Sequence, residues 1–130
     1  MNNLKVFIID PHSCFSRAAA NFLLAGGKVA AVKTASCITE ALKAADLYKP
    51  DLLLIDDRLM SEAFIESDLL NKISQKLPEA KIVIMSLYSK SNNPCLQPDC
   101  DHKNIYKWVS KQDFAAELLL LLNSCLTESG

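Results

Sequence analysis

The 130 residues of the chain suit one compact domain, and we expect residues 1–130 to form a single one. The 14 Lys and Arg residues against 15 Asp and Glu residues give a net charge of −1, which excludes the basic field of a general nucleic-acid-binding protein. No apolar stretch approaches the about 20 residues of a membrane-spanning helix. The N-terminus lacks the pattern of a signal peptide, so we expect a cytoplasmic protein without membrane contact.

Short apolar strands alternate with helical patterns along the chain. The first helix is expected to be capped by Ser13 and to stop at Gly26 and Gly27, and the second to begin at Ser36 or Thr39. Strand and helix in alternation predict a parallel, doubly wound, flavodoxin-like sheet of order 2-1-3-4-5 with helices on both faces. The predicted strands are residues 4–9, 28–33, 52–55, 81–85 and 105–109, and the third and last helices are residues 69–77 and 113–126.

The segment 89–104 interrupts this pattern. It contains two prolines and almost no apolar residues, so we predict that the fourth helix of the fold is degraded there. Cys95, Cys100 and His102 lie in the segment, but their spacing does not match the common structural zinc patterns. A polar loop with free thiols is the favoured interpretation, and the odd total of five cysteines agrees with it.

Polar residues follow the predicted strands at the edge where ligands bind in this class of sheet. Asp10 ends the first strand and Asp56 the third, while Ser86 follows the fourth and Lys111 the fifth. Two carboxylates in one crevice repel each other unless a cation or a proton joins them, and oxygen ligands suit Mg²⁺. Each residue alone is typical of a turn or a helix start. Together they predict a site for phosphoryl chemistry.

Four segments, residues 7–12, 49–60, 84–86 and 108–111, resemble the motifs of a bacterial response-regulator receiver domain. The resemblance implies that Asp56 accepts a phosphoryl group from a histidine kinase or another phosphodonor. It also implies that Lys111 pairs with the phosphoryl oxygens.

The same resemblance implies a metal site and a switch. Mg²⁺ would be held by Asp10, Asp56 and the backbone carbonyl of Arg58, while Ser86 and Trp108 would change position on phosphorylation. The family has a second acid where this chain has Pro11, so Mg²⁺ binding is expected to be weak.

Two neighbours of the acid pair are given ordinary roles. Side chains alternate along a strand, so Asp56 and Asp57 are not expected to point into the crevice equally. Asp57 could restore part of the negative charge lost at Pro11, but a solvated or capping role is favoured. His12 is expected to be a surface turn residue, and Trp108 fits a switch aromatic and a residue at the edge of the core equally well.

Two functions of different class remain open. One is a phosphorylatable switch; the other is a phosphorylation-independent pseudo-receiver that binds partners. An enzyme of the same fold is not expected, because the sequence has no Gly-rich phosphate loop or flavin signature. A stand-alone protein and a part of a longer transcription regulator are both compatible with the sequence.

The last helix carries more leucine than one buried face needs. Leucine fills five successive positions, residues 118–122, which cover the whole circumference of a helix. An exposed apolar patch usually marks an interface, so we predict a homodimer or a docked partner at residues 113–126. The alternative is that the segment 89–104 or a downstream domain covers these leucines.

Overall fold

The computed structural model of the chain describes residues 4–59, 75–86 and 105–129. Side chains are described throughout these ranges except at Ile38, Ala45, Asp46, residues 105–108 and residues 124–129. The strands are β1 (Leu4–Ile9), β2 (Val29–Ala35), β3 (Leu52–Asp56), β4 (Lys81–Ser86) and β5 (Ile105–Ser110), and the helices are α1 (Ser13–Ala25), α2 (Ile38–Tyr48) and α3 (Phe114–Ser129).

The five strands form one sheet of order β2-β1-β3-β4-β5 in which every neighbouring pair is parallel. The predicted fold class is therefore confirmed. The register pairs Ile9 with Ile55 and Ser86 with Ser110, so the carboxyl ends of four strands meet at the same edge. Every residue of β3 is buried, as expected for a central strand that is covered on both faces.

Alternate residues of β1 pack into two separate cores. Phe7 and Ile9 join the core on the α2 side, whereas Val6 and Ile8 join the core that contains residues of α1 and α3. This is the two-residue period of a strand whose faces are both covered by helices.

The helix starts differ from the sequence predictions. Ser13 is the first residue of α1, and the residue that caps it is His12, which makes no side-chain capping bond. The second helix begins at Ile38, and the Ala41 N–H donates to the carbonyl of Cys37 rather than to either predicted opening residue. Local sequence signals locate a helix start only to within a few residues, because several polar residues nearby can serve as caps.

The predicted end of the first helix is confirmed, and the second helix also ends at a residue with a positive φ. Gly27 follows α1 with a φ of 78°, in the left-handed region that glycine adopts without steric cost. Lys49 follows α2 with a φ of 50° and precedes Pro50, which cannot continue a helix.

Helix α3 buries only part of its leucine run. Leu118, Leu121 and Leu122 are buried against the sheet, while Leu119 and Leu120 are exposed. Helix α3 begins at Phe114, one residue after the predicted start at residue 113. Asp113 precedes the helix, and its carbonyl accepts the hydrogen bond of the first turn from the Glu117 N–H. In the part of the chain that the structure describes, no helix has both the length and the apolar character needed to cross a membrane.

Several sequence predictions concern residues outside the described ranges. These are the degraded fourth helix at residues 89–104, with Cys95, Cys100 and His102, and most of the third helix. Residues 75–76 are helical and Leu77 is buried just before Pro78, in agreement with the predicted end of the third helix. The two cysteines whose thiols are described, Cys14 and Cys37, are both free.

Candidate functional site

The four residues singled out at the strand ends lie together at the carboxyl edge of the sheet. Asp10 follows β1, Asp56 and Ser86 end β3 and β4, and all three are buried. Adjacent parallel strands bring these positions together, because their carboxyl ends are in register. The sequence therefore located the acid pair correctly.

Lys111 joins the two carboxylates. Its Nζ lies 2.6 Å from Asp10 Oδ2 and also forms an ion pair and a hydrogen bond with Asp56 Oδ2. The Lys111 side chain is only 4% exposed, and its backbone N–H donates to the carbonyl of Ser86 at 2.6 Å. Its Nζ also lies 4.5 Å from the centre of the Phe15 ring. A buried ammonium is tolerated here because two carboxylates and an aromatic face surround it.

Arg58 provides a second cation on the outer side of the pair. Its backbone N–H donates to Asp56 Oδ1 at 2.7 Å, and its Nε donates to the same oxygen at 3.3 Å. Its Nη2 lies 3.4 Å from Asp56 Oδ2 and 3.0 Å from His12 Nε2, and it also contacts His12 Nδ1. The sequence prediction used only the backbone carbonyl of Arg58, so it missed this side chain.

His12 lies beside Asp10 rather than apart from the site. Its backbone N–H donates to Asp10 Oδ1 at 2.8 Å, and its Nδ1 lies 3.5 Å from that oxygen. Asp10 and Asp56 thus each accept a bond from the backbone N–H two residues further on, as in an Asx turn. Recognising an Asx turn at Asp10 is the signal by which the sequence could have placed His12 next to the site.

The environment of Asp56 favours its ionised form. Burial by itself would raise the pKa of this carboxyl, but hydrogen bonds from Lys111 and from the backbone and side chain of Arg58 outweigh burial and lower the pKa below its ordinary value. The hydrogen bond to Asp56 in turn raises the pKa of Arg58. At neutral pH, Asp56 is therefore a charged carboxylate that is able to act as a nucleophile.

Asp57 interacts with Ser86 and Asp56 and is not the solvated or capping residue that the sequence analysis favoured. Asp57 is partly buried, and burial raises the pKa of its carboxyl, while a hydrogen bond with Ser86 acts in the opposite direction. The charge of Asp56 and a hydrogen bond with Asp56 add to the increase. The alternation argument fails because β3 ends at Asp56 and residues 57–59 are helical, so successive side chains no longer point to opposite faces.

Pro11 and Trp108 are the two remaining positions that the sequence analysis assigned to the site. Pro11 is exposed and has no side-chain oxygen to offer. Trp108 lies in β5, paired with Ile84, but its side chain is outside the described part of the structure, so its switch role stays a prediction.

Comparison with known proteins gives a clear structural match without close sequence relatives. No family model matches the chain, and no curated protein matches it. The isolated REC domain of RcsB from Salmonella enterica serovar Typhimurium is 20% identical with a TM-score of 0.80, over 97% of this chain and 90% of that one. A response regulator from Thermotoga maritima is 19% identical with a TM-score of 0.74, over 96% of this chain and 98% of that one.

The chain has the fold of a receiver domain. The N-terminal domain of a response regulator/sensory box/GGDEF protein from Carboxydothermus hydrogenoformans is also similar, at 20% identity and a TM-score of 0.72, over 96% of this chain and 95% of that one. The receiver fold of this chain spans 62% of the RcsB chain solved in complex with DNA.

Proposed function

We propose that this chain works as a receiver domain in two-component signal transduction, with Asp56 as the acceptor of a phosphoryl group from a histidine kinase or another phosphodonor. The observation that carries the proposal is the buried Lys111 ammonium in contact with both Asp10 and Asp56. An acid pair with one lysine suits a group that gains negative charge, since the lysine is already in place to pair with the new oxygens. The chain would serve as a signalling module rather than as an enzyme.

The transfer step uses the residues of the site in separate roles. An oxygen of ionised Asp56 attacks the phosphorus of the donor, the bond between phosphorus and the leaving group breaks, and the leaving group departs with that electron pair. Lys111 pairs with the phosphoryl oxygens, and Ser86 turns its hydroxyl from Asp57 toward one of them. Movement of Ser86 and Trp108 would then change the surface that a partner or effector binds.

A divalent cation would assist at the same edge. Asp10, Asp56 and the backbone carbonyl of Arg58 would hold Mg²⁺, which neutralises charge on the phosphoryl oxygens. The residues fit such an ion in part. The two carboxylates are oxygen donors, and among the described residues Asp10 Oδ2 accepts no hydrogen bond of good geometry, although it is ion-paired with Lys111. Pro11 adds no ligand, so we expect Mg²⁺ binding to be weak.

Intact mass spectrometry after incubation with a small phosphodonor and Mg²⁺ tests the acceptor. The wild type and Asp57→Asn should each gain one phosphoryl group, whereas Asp56→Asn should gain none, because the amide is not a nucleophile. Labelling of Asp56→Asn would overturn the assignment. A wild type that stays unlabelled at high donor concentration would favour a phosphorylation-independent pseudo-receiver.

The outer face of α3 is the second part of the proposal, as the place where a second copy of the chain docks. Leu120 is 65% exposed, and the exposed Leu119 lines an apolar groove of about 230 Å³ between α1 and α3. Burial of such surface contributes roughly 25 cal/mol per Å². The groove is lined by Phe22, Leu23, Ala25, Gly26, Lys28, Leu119 and Leu122.

Sedimentation at micromolar concentration tests this surface. Leu120→Glu should convert a dimer to a monomer, because a charge cannot be buried unpaired at an apolar contact. Leu47→Glu is the matched control, since Leu47 is 91% exposed on α2, away from the groove, and should leave the dimer intact. A wild type that is monomeric throughout would reject the dimer.

A further inference from the structure

The acid pair of this chain has a nitrogen donor beside it. Asp10, His12 and Asp56 each offer one ligand atom, and these atoms all lie within 4.8 Å of one another. Two ligands at about 2.1 Å from one metal ion lie at most about 4.2 Å apart, so only a small movement is needed to bring all three onto one ion. His12 is free to make it, because its side chain is 48% exposed.

A cationic group already occupies the space between the imidazole and the carboxylate. Arg58 Nη2 contacts both ring nitrogens of His12 and lies 3.4 Å from Asp56 Oδ2. A guanidinium only donates hydrogen bonds, so a ring nitrogen of His12 accepts from it through a lone pair. A metal ion would bind the imidazole through a ring lone pair of the same kind. The Arg58 side chain is 50% exposed and can leave the site for solvent.

Asp10 connects the buried part of the site to His12. Its side chain is fully buried, and its Oδ2 is ion-paired with Lys111 Nζ at 2.6 Å. Its other oxygen, Oδ1, holds the backbone of His12 through the Asx turn. The Asp10 carboxylate therefore lies at the proposed cation site and also holds the backbone of His12, the residue that supplies the nitrogen ligand.

We propose that His12 takes the place of the acid missing at Pro11, so that Asp10, His12 and Asp56 form a site that prefers a divalent ion such as Co²⁺ or Zn²⁺ over Mg²⁺. Mg²⁺ favours oxygen ligands and retains its waters, whereas imidazole suits the later transition ions and Zn²⁺. This inference deepens the proposed function, because it names the cation of the same site. Its own readout, metal binding, requires no phosphorylation.

Isothermal titration calorimetry with Co²⁺ and with Mg²⁺ tests the preference. A background variant with Cys95→Ser, Cys100→Ser and His102→Asn removes the other possible nitrogen and sulfur ligands of the segment 89–104. In this background Co²⁺ should bind about tenfold or more tightly than Mg²⁺. A background protein that binds Mg²⁺ as tightly as Co²⁺ would overturn the proposal.

Substitution of His12, the nitrogen donor, shows whether the metal preference depends on this residue. His12→Ala should weaken Co²⁺ binding by about tenfold or more and leave Mg²⁺ affinity nearly unchanged, since Mg²⁺ does not depend on the imidazole. Cys14→Ser is the matched control, because Cys14 is an exposed potential ligand two residues away and should change neither affinity. Co²⁺ affinity that is the same with and without His12 would overturn the proposal.

The two proposals can fail separately. Phosphoryl labelling at Asp56 together with Co²⁺ binding that ignores His12 would refute the metal preference and leave the receiver function standing. Co²⁺ binding that depends on His12 in a protein that no phosphodonor labels would support the metal site and refute the phosphoryl-accepting role.

Discussion

Two cationic side chains serve the same acid pair from opposite surroundings. Lys111 is 4% exposed and contacts Asp10 and Asp56 from inside the protein, whereas Arg58 is 50% exposed and contacts Asp56 and His12 from the solvent side. Removing one partner of a buried pair leaves an uncompensated charge, while water replaces an exposed partner at little cost. We call Lys111 with the Asp10 and Asp56 carboxylates the inner half of the site, and Arg58 with His12 the outer half. The inner half therefore holds its shape, and the outer half is where a ligand can enter.

The two halves also differ in how the chain builds them. Lys111 is 55 residues from Asp56 in sequence, and its position depends on β5 pairing with β4 and on its backbone bond to Ser86. Arg58 is two residues from Asp56, and a local turn is enough to place it. The geometry of the inner half thus depends on the pairing of the strands, and the outer half can rearrange while the sheet stays unchanged.

Breaking the inner half should have the largest effect. Lys111→Met should lower the free energy of unfolding by about 3–5 kcal/mol, because two buried carboxylates lose their shared cation. Urea denaturation measures this loss. Lys33→Met, at an exposed position of β2, is the matched control and should stay within about 0.5 kcal/mol of the wild type. A loss below about 1 kcal/mol for Lys111→Met would remove the distinction between the two halves.

Substitution of Asp57, the acid next to the Asp10–Asp56 pair, should change the free energy of unfolding by less than Lys111→Met does and in the opposite direction. The folded-state pKa of Asp57 is raised, so the folded protein binds its proton more tightly than the unfolded chain does, and the charged form costs stability as the pH rises from about 4. Asp57→Asn should therefore raise the free energy of unfolding at pH 7 by more than about 0.5 kcal/mol. The gain should disappear below pH about 4.

Urea denaturation of Asp57→Asn and wild type at several pH values measures this difference. Glu79→Gln, at an exposed position before β4, is the control and should stay within about 0.5 kcal/mol of the wild type at every pH. An Asp57→Asn variant that is less stable than wild type at pH 7 and equally stable at low pH would show that the charged form is favoured in the folded state, contrary to the raised pKa.

Removing the Arg58 guanidinium from the outer half should lower the free energy of unfolding by the smallest amount. Arg58→Gln should change the free energy of unfolding by less than about 1 kcal/mol, because the Arg58 side chain is half-exposed and water can replace its contacts. Arg17→Gln, at an exposed position of α1, is the matched control. Thermal denaturation compares the two, and a loss for Arg58→Gln as large as that for Lys111→Met would mean that Arg58 also holds the site together.

Much of the fold and part of the site were determined by the sequence. Apolar runs of strand length alternating with helical periods specify a parallel sheet, and a parallel sheet brings the ends of its strands to one edge. Asp10, Asp56, Ser86 and Lys111 follow from that rule alone, because each stands at a strand end.

Only the tertiary structure decided which other side chains meet there. Asp57 turns toward Ser86 because the strand ends one residue earlier, and Phe15 of α1 lies beside the Lys111 ammonium, where it also packs edge-to-face on Phe114 at the start of α3. Likewise, the contact between His12 and Arg58 joins segments that follow two different strands and are 46 residues apart. Periodicity reports which face of an element a residue occupies, but it carries no information on how loops from different strands approach one another. The residues that distinguish this site from a plain acid pair were therefore fixed by packing and not by pattern.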